Sequence, residues 1–354
     1  MRYRRIAKTD VDVSEVGFGV WTVSAGWWGD YSDDEAASLL RRALDRGVTF
    51  FDTADTYGRG RGETVLAHAF PGAERDRIVI GAKFGYDWQS RDPKNAGQRE
   101  APHRFDIPFL EGQLDASLRR LGTDRIDVFA MHNPRMEHLQ NDEVWTWVEG
   151  LQRDGKIRSA GVALGPAIGW EEEGHYAMRN LPIQSVQMIY NALELDPGRA
   201  LIRTAEETDV SLLVRVPHSS GMLEGHYTED TVFPDHDHRR HRPRSWLIEG
   251  VRKVEQLRFL ERENHCTLGQ AALQYVLHSP TVVSALPNIY DADQVDEFAA
   301  ASDQAPITET QAAEIERLFE SNYGLEATPA VNVTSDQVKA REAARAGAQA
   351  GSNS

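Results

Sequence analysis

Short apolar runs recur along the chain, separated by longer amphipathic stretches. The runs are "EVGFGV" (15–20), "VTFFD" (48–52), "RIVIGAK" (77–83), "RIDVFAMH" (125–132), "IRSAGVAL" (157–164), "SVQMIY" (185–190), "VSLLVRV" (210–216) and "TVVSALP" (281–287). Each has the length of a buried strand. The stretches between them follow the grammar of helices. "DDEAASLLRRALDRG" has Asp33 as its expected N-cap and Gly47 as its stop, and "DIPFLEGQLDASLRRLG" has Pro108 in its first turn and Gly122 past its end. Strands alternating with helices pair in parallel through right-handed crossovers. Eight such units predict a closed α/β architecture, a (β/α)8 TIM barrel. The alternative is an open doubly wound sheet, which carries Gly-x-Gly-x-x-Gly after its first strand when it binds a dinucleotide. Here the first run continues "GFGVWTVS", without the third glycine, and no Walker sequence follows "GRGRGE".

Three segments lie outside the eight units. "MRYRRIAKTDVDV" is expected to form a hairpin on the barrel floor. Residues 217–265 form a long insertion after the seventh strand, containing "PDHDHRRHRPR" and then an amphipathic helix. A last helix, "TETQAAEIERLFESNYG", closes a single domain over 1–324, and the Ser/Ala/Gly-rich segment 325–354 is expected to be a disordered, functionally silent tail.

Composition narrows the function classes. A net charge of −16 argues against nucleic acid, whose phosphates need a basic face. No apolar stretch approaches the roughly 20 residues needed to span a bilayer, and "MRYRRIAKTD" lacks the apolar core of a signal peptide. The single cysteine, Cys266, excludes an intrachain disulfide and fits a reducing cytoplasm. Basic residues are almost all arginine; a salt-rich cytoplasm and a GC-rich genome both explain that bias.

The strand ends carry the candidate chemistry, because polar residues at the C-terminal ends of barrel strands face the active site. The second run ends in Asp52 with Tyr57 just beyond it, the third in Lys83 and the fourth in His132. A lysine closing an apolar run needs a partner, and Asp52 on the neighbouring strand supplies one. An ammonium beside Tyr57 is expected to lower its phenol pKa. His132 offers a second donor, and one preorganised donor is worth about 2.7–4 kcal/mol at a developing oxyanion. Taken singly each of these residues is ordinarily structural; together, on three consecutive strand ends, they suit reduction of a carbonyl, with Tyr57 protonating oxygen. No side chain supplies hydride, so a nicotinamide is implied. The "HDH" with His241 offers metal-ligand types, but this chemistry needs no metal.

From about Arg4 to Gly324 the chain resembles the aldo-keto reductases, on the motifs "GFGVWT", "GVTFFDTADTYGRGRGE", "AKFG", "SLRRLGTDRIDVFAMHNP", "LQRDGKIRSAGVA" and "VQMIYN". The resemblance implies a (β/α)8 barrel using NADP(H) or NAD(H) without metal, with Asp52, Tyr57, Lys83 and His132 as the catalytic set. It also implies cofactor contacts. Trp21 and Thr22 would lie beside the nicotinamide, and Gln187 would hold its carboxamide. Pro217, Ser219, Gly221 and Leu223 would form the pyrophosphate loop, and Asn288, Tyr290 and Gln294 would lie at the adenosine end. Three positions depart from the family pattern. Ala163-Leu164 replaces a Ser-Asn pair, Arg215 replaces an aromatic that stacks on the ring, and no Lys or Arg occurs between Arg262 and Arg317 to meet a 2′-phosphate. Either the protein accepts NAD(H), with Tyr290 or Asp291 near the ribose, or the insertion supplies Arg242 or Arg244.

Trp27, Trp28 and Trp88 are expected above the barrel mouth, either stacking on substrate or capping the barrel. The polar loop 85–107 either shapes that mouth or is a solvated connection. The expected function is a cytoplasmic NAD(P)(H)-dependent oxidoreductase, a monomer or homo-oligomer acting on a small aldehyde, ketone or sugar. The alternatives are a cofactor-sensing regulatory subunit with slow turnover and a structural barrel with a vestigial site.

Overall fold

In the computed structural model, which describes residues 1–90, 100–234 and 237–326, the eight expected strands are all present and all parallel. An antiparallel pair precedes them, β1 (Tyr3–Arg5) and β2 (Asp12–Ser14). The barrel strands are β3 (Phe18–Gly19), β4 (Phe50–Asp52), β5 (Val79–Phe84), β6 (Ile126–His132), β7 (Ile157–Ala163), β8 (Ser185–Ile189), β9 (Ser211–Arg215) and β10 (Val282–Leu286). Neighbours in sequence are neighbours in the sheet. Closure comes from the segment before β3: Gly17 N donates to the Ala285 carbonyl at 2.8 Å and Ala285 N donates to the Glu15 carbonyl at 2.8 Å.

Two apolar layers follow from this topology. The larger lies between the sheet and the surrounding helices, from Leu40, Leu66 and Leu114 round to Leu273 and Ile315. The smaller fills the lower barrel, where Ile6, Val11 and Val13 of the hairpin meet Phe50, Val79, Val128, Leu213 and Val283. The hairpin therefore plugs the floor, as its sequence suggested. Arg4 fastens it, donating to the carbonyls of Leu277, Ser279 and Val282 and to Glu15.

Local details correct the sequence reading. The helix Asp33–Asp45 is capped by Ser32, not Asp33: Ser32 is extended (ψ 161°), its hydroxyl accepts from Glu35 N, and Glu35 reaches back to Ser32 N. Asp33 is freed to pair with Arg61. The first barrel strand is only two residues long, because Trp21–Ser24 turns into a short helix at the barrel mouth. Lys83 is the penultimate residue of its strand. The insertion after β9 holds the turns Met222–Glu224 and His238–His241 and the helices Arg244–Leu257 and Phe259–Asn264. Half-buried Cys266 follows it, and the last helix, Glu309–Glu320, is capped by Thr308. Among the described residues no helix is long and apolar enough to cross a membrane. The tail 327–354 and the loop residues 91–99 lie outside the described residues.

Candidate active site

Asp52, Lys83 and His132 meet at the C-terminal mouth because β4, β5 and β6 are adjacent and in register, with Asp52 opposite Gly81 and Lys83 opposite Ala130. Lys83 Nζ donates to Asp52 Oδ2 at 2.6 Å, to the Thr53 carbonyl at 2.9 Å and to Tyr57 Oη at 3.2 Å. The Tyr57 and His132 rings lie edge to face with centroids 6.1 Å apart. All four expected catalytic residues thus share one site. Gln187, expected at the nicotinamide carboxamide, donates to Asp52 Oδ1 at 2.9 Å. It holds the carboxylate that holds the lysine.

Burial sets the protonation states. It acts against the Lys83 charge, but Asp52 and Tyr57 outweigh it and leave Lys83 above its ordinary value. Burial pushes the Tyr57 phenol up, and Lys83 and Arg215 pull it only part of the way back. The net direction is opposite to that expected from the ammonium alone. His132 is held well below its usual value by burial, Lys83 and Arg215, so its imidazole is neutral. Its Nδ1 has no hydrogen-bond partner in the protein, while its carbonyl accepts from His103 Nε2 at 2.9 Å.

Arg215 ends β9 and reaches across the mouth to donate to the Leu164 carbonyl at 2.8 Å. Ala163 and Leu164 are both buried beside it. Beyond Arg215 the backbone makes an unusual turn. Val216, Ser219, Ser220 and Gly221 all have positive φ (58°, 48°, 60° and 89°). For residues with a Cβ this costs roughly 1–2 kcal/mol each, and successive amides in such a turn form a concavity suited to an anion. Pro217, Ser219 and Gly221 lie on this loop, while Leu223 is completely buried and offers only its backbone. Loops after the seventh and eighth strands are the common phosphate site of these barrels.

The residues expected at the adenosine end also assemble. Gln294 accepts from Tyr290 N at 2.8 Å and donates to Glu224 Oε2 at 3.1 Å, tying the loop after β10 to the loop after β9. Asn288 is half-buried beside them, and Asp291 caps the next helix. Arg242 and Arg244, expected here, are exposed and turned outward: Arg242 lies over Trp246, and Arg244 donates to the carbonyls of Thr231 and Glu229. The insertion sends in Arg239 instead. Its guanidinium is 4.9 Å from the Trp28 and Phe233 ring centres and 5.6 Å from those of Tyr227 and Tyr290, and both oxygens of Asp237 hold it. Sequence reasoning missed Arg239 and Glu224. Nothing in "HRRHRPR" distinguishes one arginine, and Glu224 follows Leu223 without any signal of burial.

The mouth tryptophans divide. Trp27 and Trp28 pack edge-on against Trp21 at 5.6 and 5.7 Å, and Trp28 lies 5.3 Å from Tyr290, so they form an aromatic wall at the barrel mouth. Trp88 turns outward: its Nε1 donates to Asp55 Oδ2 at 2.9 Å, and it lines a cavity of about 380 Å³ with Asp55, Tyr86, Phe109 and Gln113. It belongs to the support of the site. The described ends of loop 85–107 shape this region through Tyr86, which stacks on His103 at 4.2 Å. No His/Cys/Asp/Glu group that could hold a metal ion occurs among the described residues, and His236 and the side chains of His238 and His241 lie outside them.

Comparison with known proteins agrees with this geometry. A sequence model described as "Aldo/keto reductase family" matches residues 15–320. The aldo-keto reductase YhdN of Bacillus subtilis is 28% identical over 248 residues, 69% of this chain and 70% of the relative. The NADH-specific methylglyoxal reductase of Escherichia coli is 25% identical over 305 residues, 84% of this chain and 92% of the relative. The solved glycerol dehydrogenase of Gluconobacter oxydans shares the fold with a TM-score of 0.78, at 23% identity, over 92% of this chain and 98% of its own.

Proposed function

Since the chain belongs to the aldo/keto reductase family and is an NAD(P)-dependent oxidoreductase, we propose that it interconverts a small aldehyde, ketone or sugar carbonyl and its alcohol, with Tyr57 as the proton donor and acceptor. The observation that carries this reading is the Lys83 ammonium, 2.6 Å from Asp52 and 3.2 Å from the Tyr57 hydroxyl.

The nicotinamide, when bound, supplies the hydride. The residues present fit such a dinucleotide: a left-handed cradle at Ser219–Gly221 for the phosphates, and unpartnered buried oxygens on Glu224 and Tyr290 at the far end. Trp21, Thr22 and Arg215 would flank the nicotinamide, and Asn288, Tyr290 and Gln294 the adenosine. Gln187 acts through Asp52.

This chain's own residues manage the proton. His132, neutral, donates to the carbonyl oxygen and places it beside Tyr57. Tyr57 gives its proton to that oxygen, and Lys83 stabilises the phenolate left behind. Asp52, oriented by Gln187, keeps Lys83 charged. In the oxidative direction the same phenolate takes the proton from the alcohol. A positioned proton donor contributes typically 10²–10⁴-fold. Tyr57→Phe is therefore expected to lower carbonyl reduction by about 10²–10⁴-fold while leaving dinucleotide affinity in a fluorescence titration unchanged. Reduction at the parent rate removes Tyr57 from the role. A regulatory subunit would bind dinucleotide but turn over slowly before any substitution, so the same assay separates the two readings. Location in the cytoplasm is part of the proposal.

A further inference from the structure

Arg215 stands at the end of β9, where the family pattern has an aromatic. Its charge acts on both Tyr57 and His132. Two neighbours fix its position. Nη2 donates to the Leu164 carbonyl at 2.8 Å, and a Cβ on Gly165 would collide with that nitrogen and with Asn133 Oδ1, so the glycine leaves the guanidinium its place. Among the described residues Nη2 makes the only hydrogen bond of this side chain, and Nε and Nη1 are not sealed off by the protein. They are free donors at the barrel mouth.

The charges around the mouth leave Arg215 unmatched. Lys83 has Asp52 at 2.6 Å, and Gln187 takes the other oxygen of that carboxylate. Arg135, which donates to the Gly165 carbonyl, has Glu100 at 2.7 Å. His132 is neutral and Tyr57 protonated. Among the described residues no carboxylate pairs with Arg215, although burial acts against its charge. A guanidinium does not shed its proton, and a desolvated charge without a partner is costly. The described residues thus leave one cation uncompensated at this mouth, in a chain whose net charge is −16. A single fixed guanidinium with free donors suits a planar monoanion, which is a carboxylate. A phosphate dianion would leave negative charge in excess.

Resting on the oxidoreductase reading above, we propose that Arg215 is a specificity-determining residue and that the carbonyl substrate is a short oxo acid whose carboxylate it holds. The oxo acid takes hydride from the reduced nicotinamide at its carbonyl carbon and the Tyr57 proton at its oxygen, which yields a hydroxy acid with the carboxylate unchanged. Arg215 holds that carboxylate throughout and turns the carbonyl toward Tyr57 and His132.

The test compares kcat/KM of the full chain for paired probes of like size: glyoxylate against glycolaldehyde, and 4-oxobutanoate against butanal. The wild type is expected to favour the better acid over its neutral counterpart at least about tenfold, the discrimination that a hydrogen bond to a charged group supplies. Oxamate, a planar carboxylate that is not reduced, is expected to compete with that acid. Arg215→Met, which keeps an unbranched side chain without the charge, is expected to lower the ratio about tenfold, mainly through KM for the acid, and Arg215→Lys to restore part of it. Equal or better use of the neutral probes by the wild type overturns the proposal without needing a variant, as does a preference for glyceraldehyde 3-phosphate over both acids. A ratio unchanged within twofold in an Arg215→Met protein with native circular dichroism overturns it as well. Each of these results leaves the oxidoreductase reading standing, whereas turnover of no carbonyl probe by a chain that binds dinucleotide overturns both.

Discussion

At the scale of single residues, the site works through opposed influences on neighbouring groups. Burial keeps the Tyr57 phenol protonated at neutral pH, which a proton donor requires, and Lys83 waits to stabilise the phenolate once the proton has gone. The neutral His132 has a kinetic consequence. Burial, Lys83 and Arg215 hold its folded pKa well below its ordinary value, so it does not titrate near pH 6.5. At saturating dinucleotide, kcat/KM for carbonyl reduction should show no step near pH 6.5. A step there that disappears in His132→Asn would mean that the imidazole is charged in the working enzyme. These four residues were legible in the sequence because each sits at or just beyond the end of an apolar run. The pKa directions were not legible. An ammonium beside a phenol lowers its pKa in any local reading, and only the enclosing barrel shows that desolvation is larger.

The loop after β9 and the insertion behave as one element. Gly221 has φ 89°, and a Cβ there would collide with the Tyr227 hydroxyl and come within 3.1 Å of Arg239 Nη1. Arg239 in turn lies against Trp28 on the opposite wall. Gly221→Ala is therefore expected to displace both the cradle and the strap above it. Dinucleotide affinity should fall at least tenfold and the melting temperature by several degrees, since an unfavourable φ together with a clash costs about 1–3 kcal/mol. Titration and thermal melting of the variant check this, and unchanged affinity would separate the loop from the phosphates. The insertion was legible as a length of chain and a basic composition. Which arginine enters was not, because Asp237 and four aromatic rings from three separate segments select Arg239. The same limit explains Ser32 and Asp33: both are good caps, and the extended backbone of Ser32 decides between them.

For the whole molecule, buried titratable groups make stability depend on pH in both directions. Burial holds His132 and His103 below their usual value and His138 and His218 at about 4. These groups contribute stability that is complete above the unfolded value near 6.5 and is lost as pH falls toward 4. Asp55 is pushed up to about 7 by burial and Glu63, and Glu224 to about 8. They contribute stability that is present below the unfolded carboxyl range and is lost as pH rises through 7 and 8. Four histidines outweigh the three raised carboxyls, Asp55, Glu63 and Glu224, below 6.5, and the carboxyls act alone above it. The melting temperature should accordingly pass through a maximum near pH 6.5 and decline by pH 8.5. A melting temperature that climbs steadily to pH 9 would contradict the raised carboxyls.

Hydrophobic periodicity by itself determined the barrel, the hairpin beneath it and the positions of Asp52, Tyr57, Lys83 and His132, because strand spacing, crossover handedness and strand-end placement are all local consequences of pattern. The tertiary structure alone decided what meets where the loops after β9 and β10 come together. Glu224, Arg239 and the pair Tyr290 and Gln294 come from three places along the chain, and each acquires its burial and its partner only when the loops after β9 and β10 close on each other and the insertion folds over them. A residue's chemistry can be read from its letter, but the surroundings that shift its charge belong to the fold.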